Sequence, residues 1–412
     1  VLLFAALVGL APASARAGDL FVAFVRTADN LPLRTAAISG DSIVDLVEDF
    51  VRNQGAFAQF AGRRLEASLT YAGVPDALRF SIDGAGTQAT LTLLTGYTRD
   101  FIAGDRASLF GLIEDFIQKD GSREWARLLR ELAQTTIVGL TDGNPVAMTA
   151  VVADDAFRQF GLEASVTRAQ KRYEEEGGAA SGLQFRLDPA YTYIDTDVGK
   201  GNRITIAPAL GYRFNDRFAV SLSIPFAYAD IEGSEFYQGG LELGIPITLV
   251  VPDRRTPLKW QVTPWGVGAA SGSVDYAAGG LIGGGGVTSL LAFDLPMGFT
   301  VSMGNQIGFY EGQTIDYDEY EFETAISQQI QKHGGRLSKT VGEFAFVDAS
   351  LVWTDFIQDA AVDDYLTPGG GLGVFLGERS RLRVGYSADL GENRQGDKFR
   401  SHTGTVNFDF NF

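Results

Sequence analysis

The residues able to do chemistry in this chain are few. Cysteine is absent, and histidine occurs only at His333 and His402. Thiolate nucleophiles, disulfides and thiolate metal sites are therefore excluded, and imidazole chemistry is reduced to two positions. A catalytic histidine needs a partner within hydrogen-bond reach. His333 is followed by Gly334-Gly335 and His402 by Thr403-Gly404, so neither has a hydroxyl two residues on. The acid pairs Glu48/Asp49 and Glu114/Asp115 lie in helical runs. Adjacent helix positions do not face each other, so both pairs read as solvated helix faces. The acids Glu311, Asp316, Asp318, Glu319 and Glu321 could offer oxygens to Ca²⁺ or Mg²⁺, but read more simply as a solvated loop. No catalytic, cofactor-binding or metal-ligating residue is assigned, no cofactor is expected, and the chain is not expected to be an enzyme. A formal charge of −17 leaves no basic stripe for nucleic acid.

The elements that carry these residues are mostly strands. From Leu183 onward apolar residues recur at every second position. The clearest faces are Leu183 to Tyr193, Ile204 to Phe214, Phe218 to Tyr228 and Leu241 to Leu249. Further strands are expected at 258–268, 279–293, 299–309, 320–330, 344–353, 366–376, 382–390 and 399–412, twelve in all. About nineteen residues per strand and turn suits strands that cross a bilayer. The opposite face is polar, as a lumen requires: Thr205, Arg213, Ser221, Ser223, Glu242, Gln261, Thr263, Ser302, Gln306, Arg383, Ser387, Asp389, Thr405 and Asn407. The glycines 283–286 and 369–373 imply either a helix docked in that lumen or sharp corners in the wall.

Connections alternate in length and charge. Short turns such as Asn215-Asp216, 294–298 and 377–380 are expected on the periplasmic side, together with the bases Arg217, Arg254, Arg255, Lys259, Lys332, Arg336, Lys339, Arg379 and Arg381. The loops 195–202, 230–236, 271–278, 311–321, 357–364 and 391–398, expected outside, hold sixteen acids against three bases. The last strand alternates without an error: Gly404, Val406, Phe408, Phe410 and Phe412 on one face, Thr403, Thr405, Asn407, Asp409 and Asn411 on the other.

Residues 1–17 read as a signal peptide truncated at its start, with an apolar run to Leu10 and an Ala-x-Ala cleavage site within Ala11 to Ala17, so that the mature chain begins near Gly18. Residues 18–145 read as an α+β domain with an internal duplication. Leu46-Val47-Glu48-Asp49-Phe50-Val51 recurs as Leu112-Ile113-Glu114-Asp115-Phe116-Ile117, and two such units would pack on each other. Helices are expected at 43–51, 108–118 and 123–133, and strands at 65–71, 77–82 and 89–97. A long helix over Val146 to Glu176 and a Gly-rich linker then fill residues 146–181.

The C-terminal 230 residues, with twelve inferred strands, an upstream helix and the terminal aromatics, resemble the bacterial outer-membrane autotransporter β-domain, closest to the solitary type without a long passenger. The resemblance implies an all-β transmembrane barrel in the outer membrane. It makes Val406, Phe408, Phe410 and Phe412 the signal read by the barrel-assembly machinery, and lipid, lipopolysaccharide and that machinery the partners, with a periplasmic or surface protein also conceivable. It implies a structural or transport role, with residues 18–145 expected in the periplasm or plugging the pore. The alternative is a true autotransporter, with the helix crossing the pore and residues 18–150 displayed outside. Some twelve-stranded barrels are lipid hydrolases built on a His-x-Ser pair, which is not found here.

Overall fold

A computed structural model describes residues 20–29, 34–52, 54–117, 121–139, 146–162, 181–252, 257–313, 315–317, 320–322, 324, 326–342, 344–358, 360–377, 380–394 and 396–412. The expected signal peptide, most of the linker, Arg254, Arg255, Asp318, Glu319 and Arg379 lie outside them.

The first domain is a six-stranded antiparallel sheet in the order β2-β1-β3-β4-β5-β6. Its strands are β1 (Phe21–Thr27), β2 (Thr35–Gly40), β3 (Leu65–Tyr71), β4 (Val74–Ile82), β5 (Gln88–Leu93) and β6 (Thr98–Ile102). Each edge strand leads into a helix, β2 into α1 (Ile43–Arg52) and β6 into α2 (Arg106–Asp115); α3 (Ser122–Ala133) follows. Ile43, Leu46, Val47, Phe50 and Val51 are all buried, the i, i+3, i+4, i+7 stripe that fixes α1. Asp105 caps α2 by accepting from the Ser108 backbone at 2.8 Å, and that bond holds its carboxyl below the usual carboxylate range. The span expected as one strand over 89–97 instead ends at Leu93, where the chain turns into β6. Strands β1, β2 and β6 were not expected from the sequence.

From Gly182 the chain forms a closed antiparallel barrel of twelve strands: Gly182–Thr196, Lys200–Arg213, 219–231, 234–250, Leu258–Ser273, Ala278–Asp294, Phe299–Gln313, Ser327–Val341, Ala345–Phe356, Val362–Phe375, Ser380–Asn393 and Lys398–Asn411. The third and fourth are each interrupted, near Pro225 and Pro246, where proline has no N–H for the ladder. The last strand pairs with the first, Phe410 opposite Phe185 and Gly404 opposite Tyr191, and this closes the ring.

The outward face is a belt of exposed apolar side chains, among them Ile204, Ile206, Leu210, Leu241, Leu243 and Ile245. A band this large would aggregate in water, and lipid is the solvent that fits it. The inward face carries Thr205, Ser223, Glu242, Gln261, Thr263, Ser302, Gln306, Arg383 and Asn407, all buried. With its strands paired around a closed ring that leaves no open sheet edge, the chain is an outer-membrane barrel.

The eighth strand corrects one expectation. It spans Ser327–Val341 rather than 320–330, and a short hairpin of Ile315–Tyr317 with Tyr320–Phe322 precedes it. The reason is that its outward residues Gln329, Gln331 and His333 are polar, while Ile326 and Ile330 point inward and are buried. The apolar signal therefore ran on the wrong face. Lys332 and Arg336 accordingly leave the expected basic turn and become buried residues of the wall.

Candidate functional site

The lumen is filled by a helix, α4 (Met148–Phe160), and is the site of interest. This helix is shorter than the expected 146–176 span. It ends at Gly161, where a Cβ would sit 2.3 Å from the Phe157 carbonyl oxygen; residues 163–176 are not among those described.

Packing fixes the helix in place. Met148, Ala150, Val152, Ala153, Ala156 and Phe160 form one buried cluster with Trp265, Ile282, Tyr310, Ile330 and Phe356 of the wall. Three wall glycines make the room: a Cβ on Gly244 would lie 2.2 Å from the Phe160 ring, on Gly304 3.1 Å from Phe157, and on Gly334 2.9 Å from Leu162. In the glycine run 283–286, Gly284 makes room for Tyr310 and Gly286 for Trp265, and both aromatics pack in turn with the helix. Polar contacts pin the rest. Gln306 donates to the Ala153 carbonyl at 3.0 Å, Lys332 pairs with Asp154, and Gln159 donates to Ser221.

Opposite the apolar side of the helix the wall is charged. Asp348 accepts from Arg336 at 2.9 Å and from Arg383 at 2.8 and 2.9 Å. Arg383 also donates to Asn407 at 3.1 Å, and Asn407 to Asp188 at 2.9 Å. Buried charges persist only when paired and hydrogen-bonded. The Asn407–Asp188 link also carries this network across the seam between the last and first strands. A cavity of about 140 Å³ remains beside the helix, lined by Arg203, Thr192, Thr205, Ser387, Asp389 and Lys332 among others. Alternation predicts Arg383, Asn407, Ser387 and Asp389 in this lumen; Asp188 and Asp348, buried beside them, are not singled out by the sequence.

At the rim opposite Gly182 the first domain is seated on the barrel. Ile194, Ile231, Tyr276, Ala278, Val362 and Phe399 of the barrel share its core. Trp125 Nε1 donates to the Ala277 carbonyl at 2.9 Å, the Ile43 amide to Asp275 at 2.8 Å, Ser234 to the Asp41 carbonyl at 2.7 Å, and the Tyr71 hydroxyl to the Tyr276 carbonyl. Phe21, Tyr71 and Tyr276 pack edge-to-face with ring centroids 5.0 to 6.1 Å apart.

The remaining singled-out residues lie elsewhere. Val406, Phe408 and Phe410 line the outward face of the last strand, and Phe412 continues the row with its ring 4.5 Å from that of Phe410. His333 faces outward beside Asn305, 2.8 Å from Nδ1, and His402 beside the Tyr386 hydroxyl at 2.6 Å. Asp316 lies opposite Glu321 in the backbone register of the short hairpin.

The fit around Gly244 yields an expected result. Gly244→Leu overpacks against Phe160 at a cost of about 1–3 kcal/mol, which raises the fraction of barrels with a displaced helix by roughly 5- to 150-fold. Single-channel recording of the purified protein should show new conductance. Gly335→Leu, whose Cβ would meet only the Ser302 carbonyl at 3.9 Å, should not.

No protein-family model matches the chain, and no curated protein sequence matches it. Solved barrels do match it in outline. The translocator domain of the autotransporter NalP from Neisseria meningitidis covers 64% of this chain and 97% of its own, at 14% identity and a TM-score of 0.42. An outer membrane channel from Pseudomonas putida F1 covers 57% and 96%, at 10% identity and 0.42. The transport unit of the autotransporter AIDA-I from Escherichia coli covers 60% and 100%, at 11% identity and 0.38. These are likenesses of fold alone, and no residue role is carried across from them.

Proposed function

We propose that the protein is an autotransporter-like barrel that carries its own N-terminal domain on the cell surface, with α4 as the plug and tether. The observation that supports this most is the seat of the domain. It rests through Trp125, Ile43 and Tyr71 on the rim opposite the one where the first strand begins and the last strand ends. That far rim also bears the acidic loops, whereas the near rim has the short turns at Asn215-Asp216 and 294–298. With the chain ends of the barrel in the periplasm, the far rim faces the medium. The sequence alone favours the periplasm or a partial plug of the pore for residues 18–145; the seat favours the surface.

The same reading takes residues 1–17 as the export signal, α1 and α2 with their preceding edge strands as a duplicated unit, and the outward aromatics of the last strand as the assembly signal. It involves no catalysis. Its partners are lipid, lipopolysaccharide and the assembly machinery, with the exposed face of the six-stranded sheet free for a surface protein.

The absence of native cysteine makes the test direct. Thr95→Cys, in the exposed β5–β6 turn, should react with a membrane-impermeant maleimide on intact cells. Asp216→Cys, in the near-rim turn, should react only after the outer membrane is permeabilised. The reverse pattern would return the domain to the periplasm.

A further inference from the structure

Glu242 projects from the fourth barrel strand into the contact between wall and helix. Its exposure is 0%, and neither carboxyl oxygen has a hydrogen-bond partner. Asp155 of α4 is also buried, and its charge acts on Glu242; Arg158 donates to Asp155 Oδ1, and Oδ2 has no partner. The buried Tyr310 hydroxyl, from the seventh strand, is close enough to sense Glu242 and is likewise unpartnered. The charged groups acting on Glu242 are Asp155 and Arg158 from the helix and Arg186 from the first strand; Asp154 and Arg203 act on Asp155. Arg186 is held by Asp188 at 2.5 Å, and Asp154 by Lys332.

Arg158 donates to Asp155, and Arg203 acts on Asp155 but not on Glu242, so Glu242 is left with neither a donor nor a cation of its own, out of reach of water. A buried carboxylate without donors does not persist in that form. We propose that Glu242, Asp155 and the Tyr310 hydroxyl form a site for one unit of positive charge, a proton or an alkali-metal ion, and that its occupancy holds α4 in the lumen. The donors are all oxygen, which suits a hard cation. A divalent ion would overcompensate the one unpaired carboxylate of Glu242, and among the described residues no group of three or more His, Cys, Asp or Glu could hold such an ion. When the charge is lost, the carboxylates of Glu242 and Asp155 repel each other, and the relief is for the helix to move and admit water. The inference rests on α4 being the plug and not on which side of the membrane the domain lies, so its failure leaves the surface reading standing.

The test is the open probability of the purified full-length protein in planar bilayers, from pH 6 to 9, in sodium chloride or choline chloride. The closed state holds one more positive charge than the open state. Raising the pH in choline therefore increases the open-to-closed ratio, by up to about tenfold per pH unit. If sodium at pH 9 recloses the channel, the occupant is an alkali ion; if sodium and choline behave alike, it is a proton. Glu242→Gln, neutral and of the same shape, should be insensitive to both, and Asp155→Asn should weaken the response from the helix side with the wall unchanged. A wild-type ratio independent of both pH and sodium would overturn the proposal, as would a Glu242→Gln protein that responds like the wild type.

Discussion

Leu222→Arg is expected to leave the barrel unassembled, whereas Ser387→Arg should assemble. Leu222 lies on the third strand opposite Leu210 and Leu243, both exposed on the outward belt. A cation there sits within the hydrocarbon, at a cost of about 2–4 kcal/mol near the midplane, or roughly 30- to 900-fold in the assembled fraction. Ser387 lines the lumen cavity, where an arginine finds water and the carboxylate of Asp389. Heat-modifiable mobility in gels of outer-membrane fractions reads both. Equal loss from the two variants would mean that the inward and outward faces are misassigned.

Deleting Phe412 should have an effect of similar size in cells and a small one in the test tube. In the folded protein its amide donates to the Leu183 carbonyl at 2.8 Å, and its ring meets Phe410 edge-to-face while remaining 60% exposed. An aromatic pair of this kind contributes about 1 kcal/mol. Thermal unfolding of protein refolded into detergent should therefore shift only slightly. If the terminal aromatics are what the assembly machinery reads, most of the truncated protein should nevertheless accumulate unassembled in the periplasm. Normal insertion in cells would remove the assembly role from Phe412 and leave it a packing contact.

The contrast between those two faces shows where sequence reading works. Strands whose outward residues are Leu, Ile and Phe, as on the second and fourth, were legible from alternation alone, and so was the polarity of the lumen through Thr205, Gln306 and Asn407. The eighth strand was not, because Gln329, Gln331 and His333 occupy the face where apolar residues were sought and Ile330 packs inward on a helix. That error also hid Lys332 and Arg336 as lumen residues. The helix itself was legible in its apolar positions. Its end at Gly161 was lost because the charged residues that follow keep a helical composition. The seat formed by Tyr71, Trp125 and Tyr276 depends on contacts between residues as much as 205 positions apart, which no local periodicity reports. Glu242 was placed in the lumen correctly, but its lack of partners emerges only when the helix is docked against it.

The route of the chain limits the order in which the molecule can be made. It leaves the first domain at one rim, is inside the ring at Leu162, and begins the first strand at Gly182 on the other rim. Twelve strands about 4.8 Å apart and tilted by about 40° enclose a ring roughly 24 Å across between backbones. A folded domain of about 120 residues is roughly 35 Å wide. The molecule is thus a bead on a thread passed through a narrower eyelet. Either the domain crosses as an unfolded chain and folds after passage, or the ring closes around a thread already in place. Once both are complete, the bead cannot be drawn back without unfolding it or opening the seam between the first and last strands.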